Sequence, residues 1–209
     1  MKPQALILDF GGVLTLDFWE ALREFCRAEG LPGDALVDLV TRDPDGRRML
    51  VDLERGAIGQ AEFEQYMADR LGLERGGLLA RMAAGLRPDD VMLAAVAQLR
   101  KAGVKIAILS NSWGSDFFDP YAPWELESRA DVVVISDQVR MRKPDAEIFD
   151  LTVEKLDVPA AACVFVDDIA AYLEPARDRG MIVVHHTEST KTVQRLAELF
   201  GVALDASAR

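Results

Sequence analysis

Cysteine is nearly absent. Cys26 and Cys163 are the only two in 209 residues and lie far apart. They form no disulfide framework and no zinc-ligand spacing, so they read as reduced, buried thiols. Histidine is equally scarce, with His185 and His186 adjacent near the end of the chain. Neighbours on a strand point to opposite faces, so this pair is a poor site for one ion. Positive charge is also short: 24 Lys and Arg stand against 35 Asp and Glu, a formal net charge of −11. Such a surface repels phosphate backbones and anionic lipid heads, which argues against nucleic-acid and membrane partners. No run of about 20 apolar residues is present to span a bilayer. The apolar stretch in MKPQALILDFGG is too short for a secretory signal. These absences point to a cytoplasmic protein; a monomer and a homodimer are both left open. A small anionic substrate is compatible with the net charge if a bound divalent cation supplies local positive charge.

Half the residues are apolar and 28% are charged, enough for a substantial core. Five short aliphatic runs, Ala5–Leu8, Lys105–Leu109, Val132–Ile135, Cys163–Val166 and Met181–His185, predict strands of a sheet covered on both faces. Helical patterns over Asp89–Ala102, Asp145–Leu156, Glu174–Arg179 and Thr190–Phe200 complete a strand–helix alternation, the pattern of a parallel α/β sheet. Residues from about 17 to 85 break the rhythm. They show only helical patterns, Phe18–Glu29, Asp34–Thr41, Gln60–Leu71 and Glu74–Ala84, with a turn expected at Arg42-Asp43-Pro44-Asp45-Gly46. They predict a helical insertion above the strand C-termini, where α/β sheets bind ligands. The tail, Asp205–Arg209, is expected to fray.

Polar clusters end three of the strands: Asp9-Phe10-Gly11-Gly12, Ser110-Asn111-Ser112 and Asp167-Asp168. Lys143-Pro144 precedes the strand that carries the last. A parallel sheet brings its strand C-termini to one edge, so these segments should converge. Asp9, Asp167 and Asp168 would then repel one another. At ~4 Å and an effective dielectric near 20, a like-charge pair costs about 4 kcal/mol. A hard divalent cation relieves that cost, and Mg²⁺ favours carboxylates, water and phosphate oxygens. Ser110 and Asn111 add neutral donors, Lys143 a point charge suited to phosphate, and Gly11 and Gly12 a backbone that can approach a ligand closely. These are parts for phosphoryl transfer.

LILDFGGVLT, IAILSNS, MRKPDAEIF and VFVDD followed by ARDRGM resemble, in order and spacing, the four motifs of the haloacid dehalogenase-like hydrolase superfamily. The segment LERGAIGQAEFEQYMADRLGL resembles the helical cap of the subfamily that includes sugar-phosphate phosphatases and the phosphatase domain of soluble epoxide hydrolase. The resemblance implies a Rossmann-like three-layer sandwich with a central parallel sheet, residues 1–15 and 86–209, and an inserted α-helical cap, residues 16–85. It implies a Mg²⁺-dependent phosphatase acting on a small phosphorylated metabolite, sugar phosphates among the candidates. Asp9 would be the nucleophile, with Ser110 and Asn111 as phosphoryl contacts and Lys143 as the neutralising cation. Asp168 and the Gly11 carbonyl would ligate the metal with Asp9, and Asp167 would ligate through water or support.

The chain departs from the family pattern at Gly11, where phosphatases of the family carry an aspartate that acts as general acid and base. That function is typically worth ~10²–10⁴-fold. Substrates with good leaving groups, a replacement acid such as Asp17, or a silent binding protein each account for a glycine there. A phosphotransferase and a dehalogenase are further alternatives, the second disfavoured by the Asp167-Asp168 pair. A second departure is Tyr172, a poor Mg²⁺ ligand where relatives often carry an acid or asparagine. The aromatic segment Trp113–Trp124 could line a substrate entrance or an oligomer contact. Among the insertion's aromatics, Phe18 and Trp19 are expected to face the site, and Phe25, Phe63 and Tyr66 to fill its core.

Overall fold

The computed structural model describes residues 2–205, so most of the tail expected to fray lies outside it. Its five strands, β1 (Ala5–Leu8), β2 (Lys105–Ser110), β3 (Val132–Ile135), β4 (Cys163–Asp167) and β5 (Ile182–His185), form one parallel sheet in the order β3-β2-β1-β4-β5. β1 is central and buried throughout because both its faces are covered. Alternate residues serve different layers. Leu6, Leu8, Ile106, Ile108, Val164 and Val166 pack against α6 (Asp90–Lys101) and α11 (Ser189–Phe200). Ala5, Ile7, Ala107, Leu109, Cys163 and Phe165 pack against α9 (Ala146–Leu156) and α10 (Ala170–Asp178). The result is the expected three-layer sandwich. Two single-turn helices, α7 (Leu126–Arg129) and α8 (Ser136–Val139), flank β3.

Between β1 and β2 lies the helical insert: α1 (Phe18–Ala28), α2 (Ala35–Thr41), α3 (Pro44–Glu54), α4 (Gln60–Leu71) and α5 (Leu78–Ala83). It has its own core, built on Leu22, Phe25, Leu36, Phe63, Met67 and Leu79. Its entry and exit are tied together: Thr15 bridges to Pro88, Leu16 N–H donates to the Arg87 carbonyl at 2.9 Å, and Asp89 N–H to that of Leu14 at 3.0 Å.

The main correction to the sequence reading is α3. The turn expected over Arg42–Gly46 is confined to Arg42 and Asp43, and Pro44 already opens a helix. Asp43 is the N-cap, its carboxylate accepting from Gly46 N–H at 2.9 Å, and Pro44 occupies the first turn. Gly46 is required by packing: a Cβ there would lie 2.0 Å from the Leu39 carbonyl oxygen, so α2 and α3 touch backbone to backbone. Two smaller corrections follow. α5 is shorter than Glu74–Ala84, and α10 starts at Ala170 and carries Pro175 within it.

Candidate active site

The C-terminal ends of β1, β2 and β4 bring the sequence-predicted residues together. Asp9 follows β1, Ser110 ends β2 with Asn111 next to it, and Asp167 ends β4 with Asp168 next to it. Lys143 arrives from the loop before α9, its side chain buried completely between two carboxylates. Its Nζ lies 2.8 Å from Asp9 Oδ1 and 2.6 Å from Asp167 Oδ2. Burial alone would push the ammonium towards neutrality, but the two carboxylates overcome it and hold Lys143 charged, above its ordinary value. Asn111 fixes where this lysine starts. Its Oδ1 accepts from Lys143 N–H at 2.9 Å and its Nδ2 donates to the Lys143 carbonyl at 3.1 Å. The amide predicted to touch phosphate thus has a second, structural task. Ser110 Oγ lies 2.8 Å from the Tyr121 hydroxyl.

The acids divide by environment. Asp167 is fully buried and both its oxygens are engaged, Oδ2 by Lys143 and Oδ1 by Ile169 N–H at 2.8 Å. Asp9 Oδ1 accepts from Lys143 and from Phe10 N–H at 2.7 Å. Asp168 Oδ1 is buried with no hydrogen-bond partner. Burial is the largest cause raising the carboxyls of Asp9, to about 7, and Asp168, to about 6, with the neighbouring acids adding to it and Lys143 opposing. Oxygens of Asp9, Asp167 and Asp168 lie within 4.8 Å of one another. Three carboxylates against one ammonium leave two negative charges, the complement of a divalent cation. Together with the orphaned Asp168 oxygen, this makes the donor set a fit for Mg²⁺. Gly12 is needed beside it: with φ +74°, it would place a Cβ 2.8 Å from Asp168 Oδ2.

Above the acids, between sheet edge and insert, lies a cavity of about 130 Å³ lined from both sides. Phe18 and Trp19 do reach it, as expected, and so do Trp113 and Tyr121 of the aromatic segment. Tyr121 and Trp124 also stack edge-on against Phe10. A Cβ at Gly11 would touch the Phe18 ring at 3.4 Å, an ordinary van der Waals contact. Asp17, the candidate replacement acid, is not on the cavity lining: it is exposed and caps α1, accepting from Glu20 N–H at 3.0 Å. His185 and His186 separate as predicted, one exposed with Nε2 2.9 Å from the Asp168 carbonyl, the other buried with Nδ1 3.0 Å from Thr192 Oγ1.

Two residues at the site escaped the sequence reading. Glu54, the last residue of α3, lines the cavity and accepts from Arg142 Nε at 2.5 Å. Burial raises its carboxyl, opposed by Arg142. Arg142 also donates to the Tyr172 hydroxyl at 3.1 Å, and Tyr172 lines the cavity with its ring 5.3 Å from Lys143 Nζ. The available signal for Arg142 was its place directly before Lys143. Glu54 had none once its helix was missed.

A parallel α/β sheet with an acidic cluster on its C-terminal edge, a buried lysine between two of the acids and a helical insert over the cavity defines a capped hydrolase. The chain belongs to the haloacid dehalogenase-like hydrolases, whose family model matches residues 3–177. It is 30% identical over 154 residues to a sesquiterpene phosphatase of Aspergillus oryzae, covering 71% of this chain and 77% of that protein. It is 33% identical over 114 residues to bifunctional epoxide hydrolase 2 of Rattus norvegicus, covering 53% of this chain but only 21% of that protein. Among solved structures it is similar to a HAD family enzyme of Bacteroides thetaiotaomicron in complex with magnesium and inorganic phosphate. That similarity has a TM-score of 0.67 and 22% identity, covering 88% of this chain and 94% of that one. No helix among the described residues is long and apolar enough to cross a membrane.

Proposed function

We propose that the protein is a Mg²⁺-dependent phosphomonoesterase acting on a small phosphorylated metabolite through an aspartyl-phosphate on Asp9. Residues 1–15 and 86–209 form the catalytic core and residues 16–85 the cap. The observation that carries this reading is the pinned nucleophile: Asp9 Oδ1 is held by Lys143 Nζ and Phe10 N–H, while Oδ2 makes no hydrogen bond among the described residues in an aspartate that lines the cavity. The phosphatase name of the Aspergillus relative and the magnesium and phosphate of the Bacteroides structure support it.

Asp9, the Gly11 carbonyl and Asp168 would hold the ion, with Asp167 behind them. Mg²⁺ supplies charge stabilisation for phosphoryl oxygens when bound. Asp9 Oδ2 attacks phosphorus and the ester oxygen leaves with its electron pair. Water then attacks the phosphorus of the acyl phosphate, releasing inorganic phosphate and restoring the Asp9 carboxylate. Lys143 orients Asp9 and offsets charge on the transferring group, aided by Ser110 and Asn111. No side chain at position 11 can give the leaving oxygen a proton, so that proton comes from water or from another donor.

A second reading, a catalytically weak binding protein, draws on the same glycine and on the Phe18 ring beside it. Turnover of 4-nitrophenyl phosphate with Mg²⁺ and with EDTA separates the two. Asp9→Asn, which preserves the shape of the side chain, is expected to abolish Mg²⁺-dependent turnover without changing the circular-dichroism spectrum. Wild-type rates in that variant would remove Asp9 from the nucleophile's role.

A further inference from the structure

The cavity has a polar floor and an apolar roof. The floor is the Asp9, Lys143 and Asp168 cluster. Helices α1–α5 place nine residues on the lining, and eight of them are aliphatic, aromatic or Met. The exception is Glu54, whose Oε2 is committed to Arg142 at 2.5 Å. Apart from that carboxylate and the Trp19 indole N–H, the insert brings no polar side-chain atom to the lining. A polyol held there would give up hydrogen bonds to water and regain few of them, whereas an apolar group would gain by leaving water. Size narrows the choice further. Cavities of ~150 Å³ lined by Leu, Ile and Phe admit benzene, and the cavity here, about 130 Å³, has to take the phosphate on the floor as well as the tail.

We propose that the substrate carries its phosphate on an apolar group no larger than benzene, an arylmethyl or short branched alkenyl ester, rather than on a sugar. The inference rests on the phosphatase reading and names the substrate class of the same site. The phosphate sits on the acidic floor with the metal, and the tail lies against Trp19, Leu22, Leu50 and Phe63.

The test compares benzyl phosphate with glycerol 3-phosphate, both esters of primary alcohols, so tail polarity is the main difference at similar chemistry. With Mg²⁺, kcat/KM is expected to favour the benzyl ester by at least about tenfold, the scale of one well-placed apolar group. In Leu50→Gln, a half-buried wall position, KM for benzyl phosphate is expected to rise about tenfold more than that for glycerol 3-phosphate. Should that variant not fold, inhibition of the wild type serves instead, with benzylphosphonate expected to bind more tightly than methylphosphonate. Turnover of 4-nitrophenyl phosphate together with equal or better use of glycerol 3-phosphate would overturn this inference and leave the phosphatase reading standing. A protein that turns over none of the three esters refutes both.

Discussion

Replacing Lys143 with methionine tests the electrostatics of the site directly. Lys143 lies 2.8 Å from Asp9 and 2.6 Å from Asp167, and none of the three side chains is more than 10% exposed. Methionine fills similar space but strands two buried carboxylates. Removing one partner of a buried ion pair costs about 3–5 kcal/mol, a large share of a typical total of ~5–15 kcal/mol. In a chain of this size each kcal/mol moves the Tm by about 2–4 °C, so a fall of about 6–20 °C is expected in EDTA. The loss should depend on pH. Asp9 already titrates above its ordinary range because of burial, and without Lys143 it rises further. The folded variant therefore binds a proton that the unfolded chain releases, and its stability declines as pH rises through that window. Thermal unfolding by circular dichroism at pH 5 and pH 8 should show the larger deficit at pH 8. Adding Asp167→Asn to the variant should recover part of it. A fall under about 2 °C, or the same fall at both pH values with no recovery, would refute the placement of Lys143 as the neutralising cation.

Other outcomes follow from the same geometry. Mg²⁺ should raise the Tm more at pH 8 than at pH 5.5. The raised carboxyls of Asp9 and Asp168 favour the protonated, folded apo protein at low pH, and that contribution fades as pH climbs through about 6 to 7, where the ion takes over from the protons. An equal shift at both pH values in differential scanning fluorimetry would contradict it. Gly11→Asp should gain up to ~10²-fold on alkyl phosphates, since a Cβ there makes only an ordinary contact with Phe18, and no gain, alone or with Phe18→Ala, would show that proton donation is not the missing function. Glu54→Gln should loosen the joint between insert and sheet, costing about 1–3 kcal/mol in denaturant unfolding. A cost within error would mean that the Glu54–Arg142 pair contributes nothing net.

The strands were legible because a central parallel strand is buried on both faces, which leaves an unbroken aliphatic run such as Ala5–Leu8. The gathering of Asp9, Ser110, Asn111, Asp167 and Asp168 followed from that, since parallel strands end on a common edge. Pro44 and Gly46 misled, because both residues mark turns and helix starts alike. Only the contact with Leu39 reveals why a glycine sits inside α3. Glu54 and Arg142 pair across 88 positions and leave no periodic trace in the chain. The two tasks of Asn111 could not be separated in advance, because the hold on Lys143 depends on a loop conformation that composition does not encode.

Gln60 gives the insert and the sheet a shared moving part. This fully buried side chain, at the start of α4, donates to the carbonyls of Gly114 and Phe118 and accepts from the N–H groups of Phe117 and Phe118, while its own N–H donates to Asp116. An amide so completely engaged away from water holds its partners tightly. Any hinging of the helices about residues 15–16 and 87–89 would therefore carry the 114–118 loop along. Beside Glu54 and Arg142 two ion pairs, Glu54–Arg142 and Arg55–Asp145, join the insert to the sheet, and both would have to part for a reactant to enter there.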